Sequence, residues 1–368
     1  MNTKKKSSKR LKISFGIGLI LSMLLVLLTA CSATSSENLL KSPYVKQVDT
    51  MGTTVKITNY TPNTEKVVTD ALKIAQDYDT WVTVNQTGSL VDKINANAGV
   101  KAVKVNSGVF DLIQAAYDLS AQKTGFDVTI GALTQLWHIG FDDAKKPSQS
   151  EINQVLPLID YKFIKLDKTK QTVYLAKKGV QLDLGSMTKG YVARLMTEKL
   201  KSGGVKNAIV DLGSSSLYVM GNGPRGVNTE WNIGIKDPNN PDGENLGILA
   251  AEDQFVSTSG IYERYLEVNG VKYAHILNPK TGYPFDNDIQ SVTIVGKNNY
   301  SYGDGVTTAV FALGTKKGYD YVLKNNLEAI FIDKNDKVYV TPGLKDKFTV
   351  NSDSKYKIAS ISSLKGNG

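Results

Sequence analysis

The alternation of apolar and polar positions starts near residue 45. Val45 to Thr58 alternates as a strand does, with Met51-Gly52 marking a reversal in its middle. From Glu65 to Asp79 the period changes. Val67, Val68, Ala71, Leu72, Ala75 and Tyr78 fall on one face of a helix. Ser107 stands where a cap would, ahead of a helix running through Tyr117 and Leu119, and a weaker helix over Glu151 to Leu158 ends near Pro157. Phe163–Leu166, Val173–Leu175 and Val180–Leu184 read as short strands. Lys189 to Leu200 is an amphipathic helix stopped by Gly203-Gly204. Strands are then expected at Ala208–Leu212, Ser216–Met220, Trp231–Ile235, Leu246–Ala250, Phe255–Ser257, Tyr265–Val268, Val271–Ile276 and Ser291–Val295. A helix over Gly305 to Leu313 and a closing hairpin, Ala329–Asp333 with Val338–Thr341, complete the pattern. These elements predict an α+β fold: a single mixed domain with a strand-rich middle and flanking helices. There is no tandem repeat and no low-complexity linker. The expected division is a leader over 1–30, a polar tether over 31–42, one folded domain over 43–350 and a loose Ser- and Lys-rich tail over 351–368.

Charge sharpens the reading of the leader. The chain of 368 residues carries 44 Lys plus Arg against 35 Asp plus Glu. Six of those bases (Lys4, Lys5, Lys6, Lys9, Arg10 and Lys12) precede an apolar run from Ile13 to Leu28. Removing the six from the 44 leaves 38 bases against 35 acids, so the body is nearly neutral and a nucleic-acid role loses its support. A basic cluster, an apolar run and Leu28-Thr29-Ala30-Cys31 form the layout of a secretory signal, and the last four residues resemble a lipobox. The expectation is a lipoprotein whose signal peptide is cut before Cys31. Cys31 then carries the diacyl (palmitate-type) anchor that holds the protein on the extracytoplasmic face of a bacterial cell membrane. No later stretch approaches the ~18 apolar residues of a membrane span. Cys31 is the one cysteine, and His138 and His275 are the two histidines. That excludes intramolecular disulfides, a Cys/His zinc centre and an iron–sulfur cluster. Any metal should be a hard cation held by oxygen.

The chemistry-bearing positions lie in four segments. They are Met51-Gly52-Thr53; Gly125-Phe126-Asp127-Val128-Thr129-Ile130-Gly131 with Leu136-Trp137; Asp183-Leu184-Gly185-Ser186-Met187-Thr188-Lys189-Gly190-Tyr191 running on to Asp211-Leu212-Gly213; and Ser257-Thr258-Ser259-Gly260, continued by His275-Ile276-Leu277-Asn278-Pro279-Lys280-Thr281-Gly282-Tyr283-Pro284 and Gly303-Asp304-Gly305-Val306-Thr307-Thr308-Ala309. A P-loop is excluded, because the Gly-x-x-x-x-Gly at 185–190 continues with Tyr191 instead of Lys. A helix start near Lys189 can still offer backbone N–H groups to a phosphate, with Lys189 as an added charge or as an ordinary solvated side chain. Asp183 ends an apolar run and either contacts a ligand or forms an Asx turn. Asp304 and Thr308, spaced i and i+4, present a carboxylate and a hydroxyl on one helix face. They suit Mg²⁺, or Asp304 caps the helix while Thr307 or Thr308 bonds back to it. His138, beside Trp137, reads as a packed side chain.

In their order and spacing the four segments resemble the FAD:protein FMN transferases, the ApbE family, over residues 45 to 341. The resemblance implies a magnesium-dependent transferase that takes FAD as substrate. It cuts the pyrophosphate and attaches FMN through a phosphoester to a threonine of an acceptor flavoprotein, releasing AMP. It implies that Met51, Gly125, Phe126, Asp127, Asp183, Lys189, Ser257, Thr258 and His275 bind the flavin nucleotide. Mg²⁺ would lie on Asp304, Thr308 and the carbonyl of Thr188, with His275 and Lys189 in catalysis. Three departures stand out: Asn278 replaces an aspartate of the family pattern, Val84 and Asn85 replace an aromatic residue, and Ser214-Ser215-Ser216 replaces a Gly-rich run. The competing reading is a lipid-anchored flavin-binding protein without catalysis. A transporter's substrate-binding lipoprotein would need two similar lobes, which the pattern does not provide.

Overall fold

The structure is a computed structural model, and it describes residues 39–224, 229–298 and 302–364. The leader, Cys31 and the tether up to residue 38 lie outside the described residues. The helices are α1 (Glu65–Val82), α2 (Leu90–Ala96), α3 (Ser107–Ala121), α4 (Gly131–Trp137), α5 (Gln149–Val155), α6 (Gly185–Ser202) and α7 (Gly305–Lys324). A nine-stranded sheet runs in the order β1 (Tyr44–Thr50), β2 (Thr53–Asn59), β6 (Ala208–Leu212), β7 (Ser216–Met220), β10 (Gln254–Gly260), β13 (Ile289–Lys297), β14 (Glu328–Asp333), β15 (Lys337–Val340) and β17 (Lys357–Ile358). Smaller sheets are β3–β5–β4 (Val103–Lys104, Thr172–Leu175, Ile164–Asp167), β16–β9–β8 (Phe348–Val350, Asn245–Ala251, Trp231–Lys236) and the hairpin β11–β12 (Tyr265–Val268, Val271–Ala274).

The layers follow from strands that are apolar on both faces. Along β14, Ala329 and Phe331 point into a core shared with α1, α3, α6 and α7, while Ile330 and Ile332 point into a second core with Trp231, Ile233 and Leu249 of β8 and β9. Helices therefore cover one face of the large sheet and the three-stranded β16–β9–β8 sheet covers the other. A third small core, Leu133, Trp137, Ile139, Ile152 and Leu277, fixes α4 and α5 beside the loop after β12.

Several local expectations change. Val180–Leu184 is not a strand. Gln181 makes a single bridge to Ile130, and the Asn95 side chain takes the place of a neighbouring strand, accepting from the Leu182 N–H and donating to its carbonyl. Helix α6 begins at Gly185, so Lys189 lies in its second turn. In α7 the expected helix from Gly305 does end at Leu313: Gly314 is non-helical with positive φ, the Asp288 carboxylate accepts from the Thr315 N–H, and a second helical segment that was not expected continues across this kink to Lys324. Helices α2 and α4 were not expected. The cap of α3 is Asn106, which accepts from the Val109 N–H at 2.8 Å, and not Ser107. The tail is not loose as far as residue 364. β17 pairs in parallel with β15, Tyr356 is buried, and Ala359, Ile361 and Leu364 pack on the main core. Its Ser and Lys content masks these four anchors.

Replacing Asn106 by Ala should cost roughly 1 kcal/mol of stability, the usual worth of an N-cap. Ser107→Ala should change it by less than about half of that, as urea unfolding of the two variants will show.

Candidate active site

The turns and strand ends at one edge of the helix layer surround a cavity of about 760 Å³. Eleven of the residues singled out in the sequence line it: Met51, Gly125, Phe126, Asp127, Asp183, Thr188, Lys189, Thr258, His275, Asp304 and Thr308. Met51 and Gly52 both have positive φ, +57° and +68°, and close the β1–β2 hairpin in two residues. That turn sets Met51 at the cavity wall. Asp183 forms the Asx turn: one oxygen accepts from the Gly185 N–H at 2.8 Å and the other from the Thr134 hydroxyl at 2.6 Å. Asp127 is similarly occupied, by Thr129 and by the Tyr161 N–H. Both carboxylates shape the wall before any ligand arrives.

Asp304 sits at the start of α7 but does not cap it. Its side chain turns across to three other elements. Oδ1 accepts from the Ser257 hydroxyl at 2.8 Å, and Oδ2 from the Ser216 hydroxyl at 2.6 Å and the Gly190 N–H at 3.0 Å. Ser257 therefore holds Asp304 and is not among the residues that line the cavity. Backbone crowding makes this possible only with glycine: a Cβ on Gly190 would lie 2.4 Å from the Asp304 nitrogen. Burial raises the Asp304 carboxyl above its usual range, against the Lys189 charge and these donors. Thr307 does bond back to the Asp304 carbonyl, at 2.6 Å. Among the described residues the Thr308 hydroxyl has no partner, and the Thr188 hydroxyl is turned to the Leu184 carbonyl.

The serine triplet has a use at each position. Ser214 takes the left-handed turn position, Ser215 accepts from Lys189 Nζ at 2.6 Å, and Ser216 donates to Asp304. Asn278 lies outside the cavity lining and makes an Asx turn with the Lys280 N–H. Val84 and Asn85 do line the wall, so no aromatic ring comes from that loop. His138 packs on Phe141, as expected of a packed ring, and also reaches the cavity wall, with Nδ1 on Asp143.

Comparison with known proteins matches this chain to the ApbE family over residues 51–331. The chain belongs to the ApbE family. An FAD:protein FMN transferase of Klebsiella pneumoniae is 34% identical over 310 residues, covering 84% of this chain and 94% of that one. One of Treponema pallidum is 30% identical over 318 residues, covering 82% and 87%. The ApbE protein of Thermotoga maritima shares the fold at a TM-score of 0.74 and 28% identity, over 83% of this chain and 99% of that one. The α+β fold and the placement among transferases thus agree with the sequence reading.

Within this ApbE site the oxygens suit a hard cation. Asp304 Oδ2 already has two donors and Oδ1 one, which leaves a carboxylate lone pair on Oδ1. The free Thr308 hydroxyl and the Thr188 carbonyl add two neutral oxygens. Among the described residues no three His, Cys, Asp or Glu gather as a metal cluster. Such a carboxylate-poor set fits Mg²⁺, which keeps waters and takes substrate phosphates.

His275 follows β12, and its Nδ1 lies 3.1 Å from the Arg264 carbonyl. A carbonyl only accepts, so Nδ1 carries the proton and Nε2 the lone pair. Burial, together with the Arg264 and Lys189 charges, lowers His275 to about 4, so the ring is neutral at pH 7. Glu263, Arg264 and Tyr262 also line the cavity and were not singled out in the sequence. The available signal was a Tyr-Glu-Arg run at the end of a strand, which reads equally well as a solvated turn. Glu263 is open to the cleft, yet the protein crowds it enough that burial raises its carboxyl to about 7, with Asp304 adding to the rise and Lys189 opposing it.

A carboxyl raised in the folded state takes up its proton on folding. Its stabilising effect is full below about 4.5 and is lost as pH rises through about 7. Glu263→Gln should therefore flatten the fall in stability between pH 5 and 8 in the ligand-free protein, measured by unfolding at each pH.

Proposed function

We propose that this chain is an FAD:protein FMN transferase that works with Mg²⁺ and modifies a threonine of an extracytoplasmic acceptor. The observation that carries the reading is that Asp304, Thr308, Thr188, Lys189 and a neutral His275 all line one cavity. Mg²⁺, when bound, offsets charge on the pyrophosphate. Lys189, held by Ser215, adds a fixed positive charge on the same wall. The Arg264 carbonyl keeps the His275 proton on Nδ1, so Nε2 can take the proton of the acceptor hydroxyl. The threonine oxygen then bonds to the FMN phosphorus, the bond from that phosphorus to the bridging oxygen breaks, and AMP leaves with the electron pair.

The location rests on the basic cluster, the apolar run and Cys31: the enzyme is exported and anchored by a diacylated cysteine. No helix among the described residues is long and apolar enough to cross a membrane.

The test is mass spectrometry of a threonine-bearing acceptor after incubation with FAD and Mg²⁺. Wild type should add FMN and release AMP, whereas a binder without catalysis would hold FAD and leave the acceptor unmodified. Asp304→Ala should reduce the rate by roughly a hundredfold or more. Near-normal rates in that variant would remove the metal assignment. His275→Ala should lower kcat roughly a hundredfold with FAD binding largely kept; a wild-type rate at saturating FAD would exclude it as the base. In cells, Cys31→Ser should lose its lipid and leave the membrane fraction. A wild-type chain that sediments with membranes but carries no lipid would refute the anchor.

A further inference from the structure

The segment joining β8 to β9 reaches the cavity with Lys236, Pro241 and Asp242. Among the described residues, every hydrogen bond that leaves 237–243 goes through the side chain of Asp237 or Asn239. Both meet Tyr356 in the C-terminal tail. The Tyr356 hydroxyl donates to Asp237 Oδ1 and accepts from Asn239 Nδ2 at 2.6 Å. Asn239 Nδ2 also donates to Asp336 at 3.0 Å, and its Oδ1 accepts from Gln290 Nε2 at 3.1 Å. The Gln290 carbonyl in turn accepts from the Ile261 N–H, at the root of the loop that carries Glu263 and Arg264.

The tail itself is fixed independently. Lys355 pairs with Asp336 at 2.8 Å, the Lys357 and Ala359 N–H groups donate to the Asp336 and Val338 carbonyls, and the Tyr356 ring is buried against the β16–β9–β8 core. A rigid anchor thus meets a segment that has few other ties. The family match ends at residue 331, before the C-terminal tail that carries Tyr356.

We propose that Tyr356 is a positioning residue for FAD: through Asp237 and Asn239 its hydroxyl holds Lys236, Pro241 and Asp242 against the cavity. The proposal rests on the assignment of that cavity to FAD. Without the hydroxyl the segment samples other positions, and FAD must reorder it on binding. Binding weakens, while the reacting groups at His275 and Asp304 keep their geometry.

The test is FAD titration, steady-state FMN transfer and thermal melting of the full chain. Tyr356→Phe keeps the buried ring and should raise both Kd and KM for FAD roughly five- to tenfold, the worth of a lost pair of part-buried hydrogen bonds. Its kcat at saturating FAD and its melting temperature should stay close to wild type. Asp237→Ala should match it. Asp237→Asn keeps a carbonyl oxygen for the tyrosine and should restore wild-type binding. The double variant Tyr356→Phe/Asp237→Ala should be no worse than either single one. Unchanged Kd in Tyr356→Phe, additive losses in the double variant, or a fall in kcat with KM unchanged would overturn the positioning role. A wild-type chain that does not bind FAD overturns the assignment of the cavity, and this proposal with it.

Discussion

The constraint on which the site depends is the burial of one carboxylate, Asp304, at the junction of α6, α7, β7 and β10. A buried carboxylate is costly unless its lone pairs are met. The chain meets them from three elements at once, with Ser216, Ser257 and the Gly190 N–H. Each donor dictates sequence elsewhere. Two strands of an otherwise apolar sheet must carry serine at inward positions, and α6 must have glycine where α7 begins. Tyr218 Oη then satisfies the Gly190 carbonyl at 2.9 Å. The same bonds that neutralise the cost also draw Thr188 and Lys189 on α6 toward Thr308 on α7. The oxygen set is thus a consequence of helix packing as much as of any single side chain.

Burial acts on the ionisable groups around this junction in one sense. It lowers His275 and raises Glu263 and Asp304, each toward its uncharged form. The Lys189 charge opposes both carboxyl shifts and adds to that of His275. This end of the cavity therefore biases its own acids toward neutrality while it keeps a lysine.

The fold was largely legible because its central strands are apolar and its helices periodic. Trp231–Ile235, Ala208–Leu212 and Ser216–Met220 stand where the pattern put them. What failed were places where a side chain does the work of backbone. Asn95 stands in for a strand beside Leu182, Asn106 outcompetes Ser107 as a cap, and Asp183 starts α6 a turn early. Such contacts join residues far apart in sequence or turn on one residue of offset, and no periodicity records them. The site was legible as a set of motifs, but its internal division was not. Ser257 looked like a ligand contact and is a support for Asp304. Glu263 belongs to no motif of the sequence and stands in the cleft. The tail hid Tyr356 in a stretch whose composition suggested disorder.

The two-residue turn at Met51-Gly52 ties the cavity wall to the core in a further way. It sets the register of β1 on β2, and β2 alternates so that Val55 and Ile57 are buried. Adding one residue to β2 beyond this turn would carry those side chains to the opposite face of the sheet. The wall at this point therefore cannot lengthen or shorten as surface loops usually do. In descendants of this chain, replacement of a side chain such as Met51 can change what this wall admits while the length of the hairpin stays fixed.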